Sequence, residues 1–361
     1  MLLPLLASFH ERGRAGLARA ISLVENERPG FEAFLHAVLQ GAPPSARRVG
    51  FTGPPGAGKS TLIAAVATAY RAAGDRVGVV AVDPTSPFSG GALLGDRIRM
   101  NELSTDPGMF IRSMATRGSL GGLATTTREV IDLMDAFGFE RVLVETVGVG
   151  QTELEITGAA DTVVVVLVPE SGDAIQAMKA GLMEIADVFV VNKADRPGAD
   201  RLLKEIRTAI HLRSGETGRD APGHHAVDLA AVGRRAARRR ADQEMPSERA
   251  APAEVAPSAW TIPVLRTVAQ TGEGVPEAIA AVDAHRVWLE ASGTLASRRR
   301  ARAERRIRDV AERELRRRAW TDPEVLAALA AGLEAVTDGR ETPYSAARPI
   351  VGRVVGKGGA R

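Results

Sequence analysis

The nonapeptide Gly53-Pro54-Pro55-Gly56-Ala57-Gly58-Lys59-Ser60-Thr61 constrains this chain more than any other stretch. It follows the apolar run Val49-Gly-Phe-Thr52 and precedes the helix-forming Leu62-Ile-Ala-Ala-Val-Ala67. That is the pattern G-x-x-x-x-G-K-[ST] between a strand and a helix. Glycines let the backbone wrap closely around phosphates, so that its N–H groups and the helix N-terminus face the anion. Lys59 reaches the β- and γ-phosphates as a point charge, and the Ser60 hydroxyl is placed to ligate Mg2+. The expected ligand is a nucleoside triphosphate.

The flanks extend the argument to a whole fold. Short apolar runs at Val49–Thr52, Val77–Val82, Met109–Ser113, Val142–Thr146, Thr162–Val168, Val188–Val191 and Ile262–Val268 alternate with longer helical stretches. Most are near-continuous and β-branched, as in parallel strands buried on both faces. The predicted class is an α/β P-loop NTPase with a doubly wound, mostly parallel sheet and its ligand at the carboxyl ends of the strands. Gly53, Asp83, Glu145, Glu170 and Asn192 all fall at those ends.

Around this unit the chain divides as 1–46, an N-terminal helical arm; 47–292, the nucleotide-binding domain; and 293–361, a C-terminal helical extension. Pro29-Gly30 separates two helical patterns in the arm, and Pro43-Pro44 ends it. Residues 216–258, rich in Pro, Ala and charge, read as a mobile insertion. In the extension, Ala303, Ile307, Val310, Ala311 and Leu315 form a stripe too narrow for a broad core face. It suits a helix–helix seam and so self-association.

Composition excludes several classes. With no cysteine there are no disulfides, thiolate metal sites or cysteine nucleophiles. The opening Met1-Leu-Leu-Pro-Leu-Leu-Ala7 lacks a basic leader, and no apolar run reaches the roughly 20 residues of a membrane span, so a cytoplasmic protein is expected. Net charge is +3, yet basic residues concentrate at Arg234–Arg240 and Arg298–Arg318. Glu304, Asp309, Glu312 and Glu314 interleave the second cluster, and few aromatics accompany either. Solvated helix faces are the preferred reading over nucleic-acid binding.

The nucleotide is identified by Asn192-Lys193-Ala194-Asp195 at the end of the sixth strand candidate. A carboxylate there can accept from both N1–H and the 2-amino group of guanine. Adenine would leave it unpaired, which is costly. Asn192 can bond the base's other edge, and Lys193 can pack over the ring and brace the phosphate loop. Val268-Ala269-Gln270 ends the last strand candidate, where GTPases often place a loop against the base. GTP is therefore favoured over ATP.

Glu145-Thr-Val-Gly148 stands where a GTPase would usually carry Asp-x-x-Gly. The acid would hold the Mg2+ shell and the Gly148 N–H the γ-phosphate, which makes Lys59, Glu145 and Gly148 the catalytic candidates. Val149 follows, so a water-positioning glutamine is missing from that register, and Gln151 lies two residues further on. Slow intrinsic hydrolysis, accelerated by a partner, is the expectation. Asp83 and Asp96 flank a glycine-bearing segment that reads as the first switch and are further candidate acids for the Mg2+ shell; each could instead cap a helix.

Together these residues resemble the MeaB/ArgK family of GTPases. The likeness is carried by Gly53–Thr61, Asp83-Pro-Thr-Ser-Pro-Phe with Gly95-Asp-Arg-Ile-Arg-Met, Arg117-Gly-Ser-Leu-Gly-Gly-Leu-Ala, Val144-Glu-Thr-Val-Gly-Val-Gly150-Gln151, Glu170-Ser-Gly-Asp-Ala-Ile-Gln-Ala-Met-Lys-Ala-Gly181 and Asn192–Asp195. The resemblance implies a homodimeric GTPase that gates adenosylcobalamin loading of an acyl-CoA mutase such as methylmalonyl-CoA mutase and protects that enzyme. It also implies switch roles for Gly150 and Gln151, and for Asp173, Gln176 and Lys179 within Glu170–Gly181. Two other readings compete. A metal-insertion GTPase would want a Cys/His loop, and an ATPase energising basic amino-acid transport would not want Asn192–Asp195.

Overall fold

The computed structural model describes residues 2–41, 43–83, 105–115, 125–146, 152–169, 181–213 and 259–356. Three helices open the chain: α1 (Leu2–His10), α2 (Arg14–Glu25) and α3 (Phe31–Leu39). Then follow β1 (Arg47–Thr52), α4 (Lys59–Ala72), β2 (Val77–Asp83), β3 (Met109–Ala115), α5 (Thr125–Phe137), β4 (Arg141–Thr146), β5 (Thr162–Leu167), β6 (Val188–Val191), α6 (Ala199–Arg213), β7 (Val264–Arg266) and α7 (Val275–Ala291). A 3-10 turn at Ile156–Gly158 packs under β1.

The strands form one sheet in the order β3-β2-β4-β1-β5-β6-β7, and every neighbouring pair is parallel. Parallel pairing leaves both faces to be covered, which is why β5, Thr-Val-Val-Val-Val-Leu, is buried along its whole length. On one face Val49, Phe51, Leu143 and Val166 pack with Leu62, Ile63 and Val66 of α4 and with Val275 and Val282 of α7. On the other, Val80, Val142 and Val144 join Ile131 and Met134 of α5 to Leu17, Ile21, Val24 and Phe34 of α2 and α3. The N-terminal helices thus share the core of the sheet: Phe9 meets Phe34 and Phe137 edge-on at ring distances of 5.8 and 5.3 Å.

One local expectation needs correction. The last strand is Val264–Arg266 rather than Ile262–Val268, because the Val268 N–H turns to the Glu273 carbonyl (2.9 Å) and closes a tight loop instead of continuing the ladder. Helix α1 lies within the stretch 1–46 expected to be a helical arm. Among the described residues no helix is long and apolar enough to cross a membrane.

Residues 294–361 form a second compact unit. Its helices are α8 (Thr294–Thr321), α9 (Pro323–Thr337) and α10 (Pro343–Gly356), the last of which has no counterpart in the sequence reading. Asp322 caps α9 through a 2.8 Å bond from the Glu324 N–H. Among the described residues of this unit only Val325 and Ala335 are buried apolar side chains. Along the predicted stripe of α8, Ile307 is 70% exposed and Leu315 55%.

Candidate nucleotide-binding site

Every described candidate residue sits at the carboxyl end of the sheet or in the loops that leave it. The phosphate loop crosses from β1 to α4 with two glycines that no other residue could replace without strain. Gly53 has φ 137°, and a Cβ there would lie 2.1 Å from the Val166 carbonyl oxygen. Gly58 has φ 84° and caps α4, and its Cβ would lie 2.4 Å from Asn192 Nδ2. The backbone therefore runs tight against β5 on one side and the Asn192 amide on the other. The N-terminus of α4 brings the positive end of its dipole to this loop.

Lys59 is buried, and its ammonium donates to the carbonyls of Gly53 (2.8 Å) and Pro54 (3.1 Å). The cation is thereby held across the mouth of the loop. One residue on, the Ser60 hydroxyl donates to Glu145 Oε1 at 2.7 Å, with both side chains buried. A hydroxyl and a carboxylate in contact form a hard-oxygen donor set suited to Mg2+. Asp83 ends β2, which pairs with β4 at Ala81↔Glu145 and Val82↔Thr146, so its backbone reaches the same edge. The Asp83 side chain, Asp96, Gly148, Gly150, Gln151, Asp173, Gln176 and Lys179 lie outside the described residues, as does the insertion at 216–258.

A cleft of about 140 Å³ opens where β6 and β7 end. Asn192, Lys193 and Asp195 form one wall, Val268, Ala269 and Gln270 the other, with Gly58 and Thr61 between them. Lys193 takes φ 55°, a left-handed conformation costly for a side chain of this kind. It is held by the Ala194 N–H on the Thr267 carbonyl (3.0 Å) and the Arg196 N–H on the Lys193 carbonyl (3.0 Å). Asn192, assigned from sequence to an edge of the base, carries a structural task. Its Nδ2 donates to the Ala57 carbonyl (2.9 Å), and its Oδ1 accepts from the Ala269 N–H and the Thr267 hydroxyl, both at 3.1 Å. One amide thus ties the phosphate loop to the base-side loop. Thr267 and Arg196, which also lines the cleft, were missed from sequence. Arg196 could have been found by its adjacency to Asp195; Thr267 carries no signal until β7 is placed beside β6.

A parallel sheet of this order, a glycine loop opening α4, a Ser–Glu oxygen pair and a cleft walled by Asn-Lys-x-Asp define a P-loop GTPase. Residues 17–324 match the family model "methylmalonyl Co-A mutase-associated GTPase MeaB", and the chain belongs to that family. A Pyrococcus horikoshii protein bearing the name of a GTPase is 42% identical over 95% of both chains. The GTPase ArgK of Escherichia coli is 43% identical over 50% of this chain and 56% of its own. The mouse methylmalonic aciduria type A homolog is 43% identical over 55% and 52%. A crystal structure described as a LAO/AO transport system kinase superposes with a TM-score of 0.62 at 25% identity, covering 98% of this chain and 97% of that one.

Proposed function

We propose that this GTPase is a nucleotide-switched chaperone that gates adenosylcobalamin loading of an acyl-CoA mutase, methylmalonyl-CoA mutase in particular, and protects it from inactivation. The observation that carries the reading is the family match over residues 17–324, whose name is that of a mutase-associated GTPase. The mouse relative's name, methylmalonic aciduria type A homolog, also refers to methylmalonic metabolism.

In this reading Lys59 and the N–H groups of Gly53–Thr61 hold the β- and γ-phosphates, and Asp195 accepts from guanine while Lys193 lies over the base. Ser60 and Glu145, with Asp83 at the neighbouring strand end, would hold Mg2+, which offsets the charge of the phosphates when bound. GTP and water give GDP and phosphate. With Val149 in the register after Gly148, nothing in that register positions the attacking water. Intrinsic turnover is therefore slow, and the mutase supplies the missing alignment. The unit 294–361 joins two copies of the chain. Ile307, Val310 and Leu315 on α8 and Leu326, Leu329 and Leu333 on α9 are all at least 40% exposed, a surface too apolar to be left to water.

The test is GTP turnover with and without an acyl-CoA mutase, beside GDP and ADP titrations. Turnover raised by the mutase and a strong preference for GDP are expected. Equal ADP affinity, or no response to any mutase, would sink the reading. Light scattering on the full chain reads the dimer, which Ile307→Glu should dissociate.

A further inference from the structure

Thr52 and Thr146 form a buried hydroxyl pair that the phosphate and base contacts leave unexplained. Register Phe51↔Glu145 sets Thr52 opposite Thr146 on neighbouring parallel strands, and the Thr146 hydroxyl donates to the Thr52 hydroxyl at 3.0 Å. Both residues are almost wholly buried. Alternation along β1 and β4 puts them on the face carrying Gly50, Val142 and Val144, where Ile156 packs, away from α4. In positions where aliphatic side chains would pack as well, a buried hydroxyl pair joined by a hydrogen bond points to a use beyond packing.

Their place in the chain supplies it. Thr52 is the last residue before Gly53, and Thr146 the first after Glu145. Consecutive residues at the end of β4 therefore reach opposite faces: Glu145 takes the Ser60 hydroxyl at the far end of the phosphate loop, and Thr146 takes Thr52 at its near end. The end of β4 is pinned to both ends of that loop. The Ser60–Glu145 bond is made by the two oxygens best suited to a cation, and a cation that draws on both would weaken it. The Thr52–Thr146 bond faces the other way and stays intact.

We propose that Thr52 and Thr146 are positioning residues for GTP hydrolysis: their hydrogen bond holds the strand that carries Glu145, and that leads into Gly148, in register with the phosphate loop while Ser60 and Glu145 change partners. Neither side chain touches nucleotide. The pair acts through the Glu145 carboxylate, so its loss falls on turnover and on the Mg2+ concentration needed for half-maximal rate, and hardly on GDP binding.

The test uses the full chain with Thr146→Val, Thr52→Val, the double variant and Thr146→Ser. Loss of the hydrogen bond should lower single-turnover GTP hydrolysis about tenfold in each valine variant, while GDP affinity moves less than about threefold. Thr146→Ser, which keeps the hydroxyl, should recover most of the rate. The double variant decides between alignment and mere burial, since it leaves no hydroxyl stranded. If it hydrolyses GTP at the wild-type rate with the wild-type Mg2+ requirement, the proposal fails. It also fails if rate and GDP affinity fall together in step with the melting temperature. A double variant that is as stable as wild type and still slow bears it out.

Discussion

The two ends of the parallel sheet are both rich in polar side chains and treat them in opposite ways. At the amino end, charges are closed on one another. Arg48 meets Asp132 at 2.9 Å and Asp135 at 2.8 Å, Arg141 meets Asp75 and Asp283 at 2.8 and 2.5 Å, and Arg286 meets Asp161 at 3.1 Å. His285, fully buried, lies between Thr162 (2.9 Å) and Asp187 (3.3 Å). Burial opposes the charge of Arg48, but Asp132 and Asp135 outweigh it and hold its pKa above the ordinary range. At the carboxyl end, the Lys59 ammonium rests on two backbone carbonyls of its own loop and the Ser60 hydroxyl on one carboxylate oxygen, contacts that a nucleotide and its cation can replace. One end spends its charge on cohesion; the other keeps it exchangeable.

The contrast is broken most directly at Lys59. Lys59→Ala should lower GTP turnover by about 10²–10³-fold while urea unfolding stays near wild type; retained turnover would misplace the site. Asp135→Ala should do the reverse. Asp135 also accepts from the Ser45 and Ala46 N–H groups, so its removal takes one of two carboxylates from the buried Arg48 guanidinium and an acceptor from two backbone N–H groups; it should cost about 3 kcal/mol in urea unfolding, with GDP affinity unchanged in the folded protein. A smaller effect, confined to the base cleft, is expected of Asp195→Asn. Guanine-over-adenine selectivity should fall roughly 10–100-fold by competition titration, more than affinity for the phosphates falls.

The smallest effect lies at the amino end again. Hydrogen bonds from the Arg71 guanidinium, then from the Gly108 N–H, hold the Asp106 carboxyl below its ordinary pKa. A depressed folded value means that this contribution is complete above the unfolded pKa and disappears as pH falls through the folded one. The pair is partly exposed, so Asp106→Asn should cost no more than about 1 kcal/mol at neutral pH, and the two unfolding curves should converge in acid. A difference that persists in acid below the folded pKa would assign the effect to packing rather than charge.

Much of the carboxyl end was legible in the chain because its chemistry is local. Gly53, Gly58, Lys59 and Ser60 are neighbours in sequence, and so are Asn192 to Asp195. A loop that wraps an anion or a base needs consecutive residues in a fixed backbone shape. Glu145 could be proposed from its position after a β-branched run, and the structure sets it against Ser60. The amino end was not legible. Arg48 and Asp135 lie far apart in sequence, as do Arg141 and Asp283, and neither pair has a spacing or motif that announces it. Helix α10 escaped for another reason: Pro349 lies inside it, and a proline there usually argues against a helix.

By itself, then, the sequence determined the class of the fold, the class of nucleotide and the place where phosphates are held, since all three follow from short-range backbone demands and from strand periodicity. Tertiary structure alone decided how those pieces are held to one another. The Asn192 amide ties the phosphate loop to the base loop, the Thr52–Thr146 hydrogen bond joins β4 to the start of the phosphate loop, and ion pairs close the opposite end of the strands. The reason is physical: a parallel sheet makes neighbours of strands distant in the chain, and which buried polar groups then satisfy each other depends on sheet order and register.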